Sequence, residues 1–342
     1  MRSLDIKSRS GNYSVVFTDI DKTIDFIKDM TVVVDSNVYD LYQNRFAGLD
    51  VVKFRCEEDN KTLDGAAFIM EQFVERKLKS NATVAVVGGG ILQDSAGFAC
   101  SVYCRGIKYV LVPTTLLSQC DSCIGGKTSI NFCSVKNILG TFYPPQEILI
   151  CTEFLNTLTQ SDYLSGLGEI VKFNLLDSKL DWFLSKDTRS DVEELIYTSL
   201  LYKSRIIEID EFDKKERKFL NFGHTFGHAL ESTSHYGVPH GTAVLIGIAI
   251  ANRVSQKLGH LKEDRSLDII LKYTEHQHLN PAWFDFANLL EVIKLDKKST
   301  GSINMVLLTD SKPILQKIEN LIILEEAVKE IYETLRLRNK VS

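Results

Sequence analysis

Residues 1–150 alternate short runs of β-branched residues with amphipathic segments. We predict buried strands at MTVVVD (30–35), TVAVV (83–87), YVLV (109–112) and EILI (147–150), because each is a short apolar run. Between the first two, residues 63–78 place apolar side chains at helical spacing, which predicts a crossover helix. This strand–helix–strand repetition indicates a parallel sheet with helices on its faces.

Beyond residue 160 the pattern is mainly helical, and NMVLL (304–308) alone resembles a strand there. Helical spacing of apolar residues predicts helices at 165–176, 191–209, 222–234, 240–258, 264–273 and 324–337. We therefore predict the fold class α/β, with an α/β domain of nucleotide-binding type over residues 1–160 and a mainly helical domain over residues 161–342.

Composition is that of an ordinary soluble globular protein, and 342 residues suit two domains. The net charge of −5 argues against a nucleic-acid-binding protein, which is normally basic. No apolar run is long enough to span a bilayer, and the N-terminus lacks the apolar core of a signal peptide. The seven cysteines include one C-x-x-C, Cys120 to Cys123, with no second pair for a structural zinc site. We expect reduced thiols in a cytoplasmic protein, with a redox role for Cys120 as the alternative.

Polar and glycine residues follow the predicted strands where a phosphate would bind. Glycines at 88–90 directly follow TVAVV and precede an apolar helix, although a tight turn without ligand would need the same residues. Thr114 and Thr115 follow YVLV. Asp35 ends VVVD, a position from which a carboxylate would accept hydrogen bonds from ribose hydroxyls. The run IGGKT (124–128) lacks the spacing of a Walker A motif, which excludes a P-loop ATPase.

Three histidines are the clearest candidates for metal chemistry. His224 and His228, in NFGHTFGH, lie at i and i+4 and project from one helix face roughly 6 Å apart. His240 follows in PHGTA. The pair suits two metal ligands, or one ligand beside a proton-transfer group, while a solvated surface pair is the alternative.

A chain of motifs resembles the 3-dehydroquinate synthase family of sugar phosphate cyclases from about residue 30 to 310. These motifs are GGGILQD (88–94), YCRG (103–106), PTTLLSQCDSCIGGKTSIN (113–131), KNILGTFYPP (136–145), GLGEIVK (166–172), NFGHTFGH (221–228), HGTAV (240–244) and LDKK (295–298). The resemblance implies a Rossmann-like NAD-binding domain followed by a mainly helical domain that binds a divalent metal, Zn²⁺ or Co²⁺.

The resemblance also implies the site residues. The metal ligands would be Glu169, His224 and His240, a carboxylate and two imidazoles that suit zinc, and His228 would contact substrate instead. The NAD contacts would be Asp35, Asn37, Glu58, Lys61, Gly89, Gly90, Asp94, Thr114, Thr115, Asp121, Lys127, Lys136, Phe154, Thr157 and Leu158. Glu58 and Lys61 match the family least well, and a solvated charged turn is the alternative for them.

The implied substrate is an anionic sugar acid phosphate, and basic residues would pair with its phosphate and carboxylate. The catalytic and substrate-contacting residues would be Lys127, Asn137, Lys172, Lys203, Asp213, Arg217, Asn221, His228 and one of Lys297 or Lys298, with Arg105 reaching across a homodimer interface. Two positions depart from the family pattern, since Asp213 and Thr242 stand where a glutamate is usual. Glu216 is the alternative carboxylate for Asp213.

The activity implied is conversion of 3-deoxy-D-arabino-heptulosonate 7-phosphate to 3-dehydroquinate and phosphate, a step of the shikimate pathway to aromatic amino acids. It would proceed by transient oxidation with NAD, phosphate elimination, reduction and aldol closure. The alternatives are a sugar phosphate cyclase of secondary metabolism and a metal-dependent NAD(P) alcohol dehydrogenase of the same fold. A paralogue that binds NAD without catalysis is a further alternative. We expect no nucleic-acid or membrane partner.

Overall fold

The chain forms two compact units, seen here in a computed structural model that describes residues 2–133, 135–297 and 302–338, without the side chains of 296 and 297. The first unit comprises Met1–Thr159 and Val192–Phe212, and the second comprises Gln160–Asp191 and Asp213–Ser342. In the described part of the chain, no helix is both long enough and apolar enough to cross a bilayer.

A seven-stranded sheet forms the centre of the first unit. Its strands, numbered in chain order, are β1 (Ser3–Ile6), β2 (Tyr13–Phe17), β3 (Thr31–Asp35), β4 (Asp50–Phe54), β5 (Thr83–Gly88), β6 (Lys108–Pro113) and β9 (Glu147–Ile150). The spatial order is β1-β2-β9-β6-β5-β3-β4, with β1 antiparallel to β2 and the other neighbours parallel. The inner strands carry valines and other apolar residues that are buried on both faces, as expected of a parallel sheet covered by helices.

Helices and a separate hairpin complete the first unit. The helices are α1 (Ile20–Ile27), α2 (Ser36–Leu41), α3 (Leu63–Glu75), α4 (Gly90–Val102) and α7 (Val192–Ile209), and the hairpin strands are β7 (Lys127–Phe132) and β8 (Val135–Phe142). Strands β3, β5 and β6 end side by side, since Gly88 pairs with Pro113 and Val34 pairs with Val87. Residues that follow these strands therefore meet at one edge of the sheet, where α2 and α4 begin.

The second unit is built around helix α9 (His240–Lys257), most of whose residues are buried. The other elements are α5 (Gln160–Leu176), α6 (Leu180–Leu184), α8 (His224–Thr233), α10 (Leu267–Thr274), α11 (Phe286–Lys297), α12 (Leu321–Arg338) and the antiparallel strands β10 (Ile303–Leu307) and β11 (Ile314–Ile318). Helices α5, α8, α10 and α12 pack against α9. This central position explains why α9 carries apolar residues on all sides.

The predicted α/β class is confirmed. The predicted strands correspond to β3, β5, β6 and β9, and the crossover helix corresponds to α3. The prediction of a single strand beyond residue 160 was wrong, because β11 pairs with β10 in the second unit. Helix α7 follows the predicted division at 160/161 in sequence but belongs to the first unit, where it packs against β1 and the π-helical turn Ser118–Ser122. The assignment of two domains stays a prediction.

Candidate active site

Three side chains of the second unit converge on one point. Glu169 lies on α5, His224 begins α8, and His240 begins α9. The Nε2 atoms of His224 and His240 lie 3.5 and 3.4 Å from Oε1 of Glu169. These are the three residues that the family resemblance implies as metal ligands, and the fold brings them within ligand distance of one another.

Close helix crossings produce this convergence. A Cβ added to Gly241 would lie 1.7 Å from the carbonyl oxygen of Ser165, and one added to Gly168 would lie 2.3 Å from that of Gly241. The backbones of α5 and α9 therefore touch directly beside Glu169 and His240. Similarly, a Cβ on Gly247 would lie 1.9 Å from the carbonyl oxygen of Gly223, which precedes His224. Glycine at these crossings lets all three helices approach the point where Glu169, His224 and His240 converge.

The Gly241→Ala variant tests the importance of this crossing. Because the new methyl group overlaps backbone rather than a flexible side chain, α5 and α9 must separate. We expect a loss of about 1–3 kcal/mol in the free energy of unfolding of the metal-free protein together with weaker metal binding. Chemical denaturation and Co²⁺ titration measure the two effects. Wild-type values for both would contradict the proposed role of the crossing.

The cluster is strongly charged, and Glu169 is fully buried in it while His224 and His240 are half-buried. Glu169 is fully buried and forms an ion pair with Lys172 one turn later on α5, which is 2% exposed. Burial opposes ionisation of Glu169, but the charges of Lys172 and His240 outweigh it and lower the pKa of this carboxyl to about 2. Burial, with the nearby Lys172 charge, holds the pKa of His224 well below its ordinary value. Glu169 is therefore an anion and His224 a neutral imidazole, which are the forms that ligate a metal.

These residues fit a divalent metal. Oε2 of Glu169 pairs with Lys172, while the buried Oε1 has no hydrogen bond in the part of the chain that the structure describes. Two imidazole nitrogens point at the same carboxylate. One carboxylate and two imidazoles, with positions left for substrate oxygens, form a common catalytic zinc site and also suit Co²⁺.

Each histidine is held through its other ring nitrogen. Nδ1 of His224 lies 3.1 Å from the carbonyl oxygen of Phe222, and Nδ1 of His240 lies 3.2 Å from Oε2 of Glu231. The ring of His228 lies 5.1 Å from that of His224 and 6.0 Å from that of His240, centroid to centroid. Glu231 was absent from the predicted site. Its spacing was a usable signal, since residues at i, i+4 and i+7 of a helix share a face.

The other predicted residues of the second unit lie on the segment before α8 or on α11. Arg217, which is 4% exposed, and Asn221 belong to the 3₁₀ turn Glu216–Asn221 that leads to His224. Asp213 has a left-handed backbone, with φ of 59°. The side chain of Lys297 and the whole of Lys298 lie outside the described residues.

The first unit places predicted nucleotide-binding residues at the carboxyl edge of its sheet. Asp35 ends β3 and accepts a hydrogen bond from the Asn37 backbone N–H at 2.9 Å. Gly89 and Gly90 join β5 to α4, and a Cβ on Gly89 would lie 3.0 Å from the Thr115 methyl group. Thr114, which is buried, and Thr115 follow β6. This edge therefore combines a carboxylate, hydroxyl groups and a helix start without side-chain obstruction.

A second group of predicted residues forms a polar cluster between α4, the 3₁₀ turn Glu58–Asn60 and the β7–β8 hairpin. Nζ of Lys61 lies 2.6 Å from Oδ2 of Asp94 and 2.6 Å from Oδ1 of Asn137. Lys136 pairs with Glu58 at 3.1 Å. Lys61 is 7% exposed, so the alternative of a solvated charged turn is wrong for that residue.

The remaining predicted residues of the first unit are dispersed. Lys203 on α7 is buried and lies 2.6 Å from Oδ1 of Asp121. Phe154 and Thr157 lie in the 3₁₀ segment Thr152–Thr157, with Leu158 directly after it. Lys127 begins β7 and is exposed, and Arg105 is exposed in a turn after α4 with φ of 65°.

Family models match this chain over most of its length. The model described as 3-dehydroquinate synthase N-terminal matches residues 51–165, and that described as 3-dehydroquinate synthase C-terminal matches residues 166–299. A protein of Clostridium tetani named 3-dehydroquinate synthase is 34% identical, over 98% of this chain and 95% of that protein.

Solved structures share the fold. The structure of 2-deoxy-scyllo-inosose synthase complexed with carbaglucose-6-phosphate, NAD⁺ and Co²⁺ has a TM-score of 0.82 at 21% identity, covering 96% of this chain and 100% of that one. The 2-epi-5-epi-valiolone synthase of Streptomyces hygroscopicus, with NAD⁺ and Zn²⁺ bound, has a TM-score of 0.79 at 25% identity, covering 94% and 97%.

Proposed function

Because this chain belongs to the 3-dehydroquinate synthase family, we propose that it is an NAD- and divalent-metal-dependent enzyme that converts 3-deoxy-D-arabino-heptulosonate 7-phosphate to 3-dehydroquinate and phosphate. It is then a phosphate-eliminating lyase of the shikimate pathway. The observation that carries this proposal is the convergence of Glu169, His224 and His240, within a chain that matches the family in both of its halves.

In this proposal Glu169, His224 and His240 hold the metal. A divalent metal bound there acts as a Lewis acid toward a substrate oxygen. Glu169 supplies the anionic ligand, and its burial excludes water as a competitor for that carboxylate. Each imidazole is oriented by an acceptor at Nδ1, so its Nε2 is directed at the shared position.

The carboxyl edge of the first unit's sheet holds the nucleotide. Bound NAD supplies reversible hydride transfer, so the overall reaction is redox-neutral. Asp35 is placed to accept ribose hydroxyls, and Gly89 and Gly90 leave space for a pyrophosphate beside the start of α4. We assign the nearby Thr114 and Thr115 hydroxyls to the same pocket.

Each unit contains buried cations among the residues that the family membership implies as substrate contacts. Lys203 in the first unit is 6% exposed, while Lys172 and Arg217 in the second are 2% and 4% exposed. Lys203 and Lys172 already pair with Asp121 and Glu169, so their assignment to the substrate rests on the family membership, and a phosphate or carboxylate would be a further charge-assisted partner. We assign substrate contacts to them and to Lys127, Asn137 and Asn221, with His228 beside the metal ligands.

Phosphate release tests the proposal directly. With substrate, NAD⁺ and Zn²⁺ or Co²⁺, we expect metal-dependent release of phosphate, formation of 3-dehydroquinate and no net NADH. A chelator should abolish release. Net accumulation of NADH would instead identify an alcohol dehydrogenase. Release from other sugar phosphates alone would identify a different cyclase, and NAD binding without any turnover would identify a paralogue that has lost catalysis.

The Lys127→Ala variant separates substrate recognition from metal binding. Lys127 begins β7 and belongs to the first unit, apart from the metal cluster in sequence and in unit. Loss of a charge-assisted contact to an anion costs about 2–5 kcal/mol, so turnover should fall by at least tenfold. Metal stoichiometry should be unchanged. Wild-type kinetics in this variant would remove Lys127 from the proposed substrate site.

We also propose a homodimer, in which Arg105 serves the site of the partner subunit. Arg105 is exposed, and its left-handed backbone follows that of Cys104. Two successive non-glycine residues with positive φ are uncommon and are typical of functional turns. Light scattering of the purified protein measures the oligomeric state.

A further inference from the structure

Glu231 lies on the same face of α8 as His224 and His228. Its side chain is 16% exposed, and Oε2 lies 3.2 Å from Nδ1 of His240 on the neighbouring helix α9. The contact joins two helices that also cross closely at Gly247. Glu231 therefore reaches His240 from the side of the ring that faces away from Glu169.

This hydrogen bond sets the position of the proton on a metal-bound His240. Both ring nitrogens of His240 face a carboxylate, Glu169 at Nε2 and Glu231 at Nδ1. When Nε2 ligates a metal, the one proton of the neutral imidazole stays on Nδ1, which donates it to Glu231 because an ionised carboxylate can only accept. His224 reaches the same state through the carbonyl oxygen of Phe222, which is also an acceptor alone.

We propose that Glu231 is a positioning residue for the metal site, holding His240 in the Nδ1–H tautomer and adding negative charge behind it. It acts through His240 and does not ligate the metal itself. This inference rests on the metal site of the proposed function. Lys172 already neutralises part of the negative charge of Glu169. A divalent cation bound there therefore needs a further negative charge nearby, which Glu231 supplies.

A second arrangement of the same residues is the main competitor. His228, Glu231 and His240 also lie within ligand distance of one another. A metal held by those three would need Nδ1 of His240 as a ligand, because Nδ1 is the nitrogen that faces Glu231. That nitrogen cannot both donate a proton to Glu231 and bind a metal. The proposal therefore requires one metal ion per chain.

Cobalt titration of three variants tests the proposal. Glu231→Gln keeps the size and a neutral acceptor but loses the charge, and Glu231→Met loses both. Glu325→Gln is the matched control, because Glu325 is an exposed carboxylate on α12. The metal-free proteins are titrated with Co²⁺ in competition with a chelator, and cobalt absorption reports the ligand set.

We expect one Co²⁺ per wild-type chain. Loss of such an orienting contact weakens metal binding by about 10–100-fold, with the Gln variant near the lower value and the Met variant near the upper one. The control should match wild type. ¹⁵N NMR of the zinc-loaded protein should show a protonated Nδ1 on His240, and the zinc-loaded Met variant should lose the hydrogen bond that this proton donates.

The outcomes separate this inference from the proposed function. Absence of Co²⁺ binding by the wild-type protein would refute the metal site of the proposed function. Equal Co²⁺ affinity in wild type and both Glu231 variants would refute the role of Glu231 alone. Two Co²⁺ per wild-type chain, with one lost in both variants, would also refute it, since Glu231 would then be a ligand. If the Met variant does not fold, the isosteric Gln variant decides.

Discussion

Replacement of His224 by alanine is expected to abolish metal binding and turnover together. His224 supplies one of three converging ligand atoms, and its Nε2 lies 3.5 Å from Glu169. Two remaining ligands leave the metal exposed to water and weakly held, because zinc sites of this kind use three protein ligands. The loss of affinity should exceed the roughly 100-fold upper value for a residue that only orients a ligand.

His276→Ala is the matched control for this experiment. His276 belongs to the same unit, and its side chain is 72% exposed. It should retain full metal content by elemental analysis and full phosphate release. NAD binding should survive in both variants, because the residues assigned to the nucleotide lie in the first unit. Stoichiometric zinc in the purified His224→Ala variant would show that the ligand assignment is wrong.

Strands of the sheet interior were predictable because they are buried on both faces. The runs at β3, β5, β6 and β9 are short and almost wholly apolar, and such a run can be recognised in the sequence without knowledge of the fold. The hairpin of β7 and β8 was missed for the opposite reason. Buried and more exposed positions alternate in β7, while β8 has no buried residue and several of its apolar side chains are exposed, so the hairpin sequence has no continuous apolar run.

The local sequence predicted only part of the candidate metal cluster. His224 and His228 are one helical turn apart, and residue spacing alone made both of them candidate ligands. Spacing gave no reason to choose Glu169, because the contact between α5 and α9 is a long-range one made possible by Gly168 and Gly241. That choice came from the family resemblance. Whether Glu169, His224 and His240 bind the metal stays a prediction.

Thr242, one of the two departures from the family pattern, lies two residues after a histidine that receives a carboxylate contact from another helix. It stands where a carboxylate is usual, directly after His240 and Gly241, and it is 4% exposed. The carboxylate that contacts His240 comes from Glu231 on α8. Side chains from different helices can supply the same orienting group, so a motif read along one helix gives an incomplete account of the site.

Lys172→Met should destabilise the metal-free protein more than any other single change in this cluster. Lys172 and Glu169 are 2% and 0% exposed and form an ion pair. Removing one member of a buried pair costs about 3–5 kcal/mol. The lower value is expected here, because His240 lies 3.4 Å from the same carboxylate and still offsets part of its charge.

Added Zn²⁺ should recover much of this lost stability, since a bound cation compensates Glu169 in place of the lysine. Denaturation of metal-free and zinc-loaded proteins measures both effects. Zinc should therefore stabilise the variant more than it stabilises wild type, while turnover stays absent because the substrate has lost a cationic partner. Lys179→Met is the control, as Lys179 pairs with Asp177 with 36% of its side chain exposed, and surface pairs contribute about 0–1 kcal/mol. An unchanged free energy of unfolding in metal-free Lys172→Met would mean that Glu169 is not held as a buried anion by Lys172.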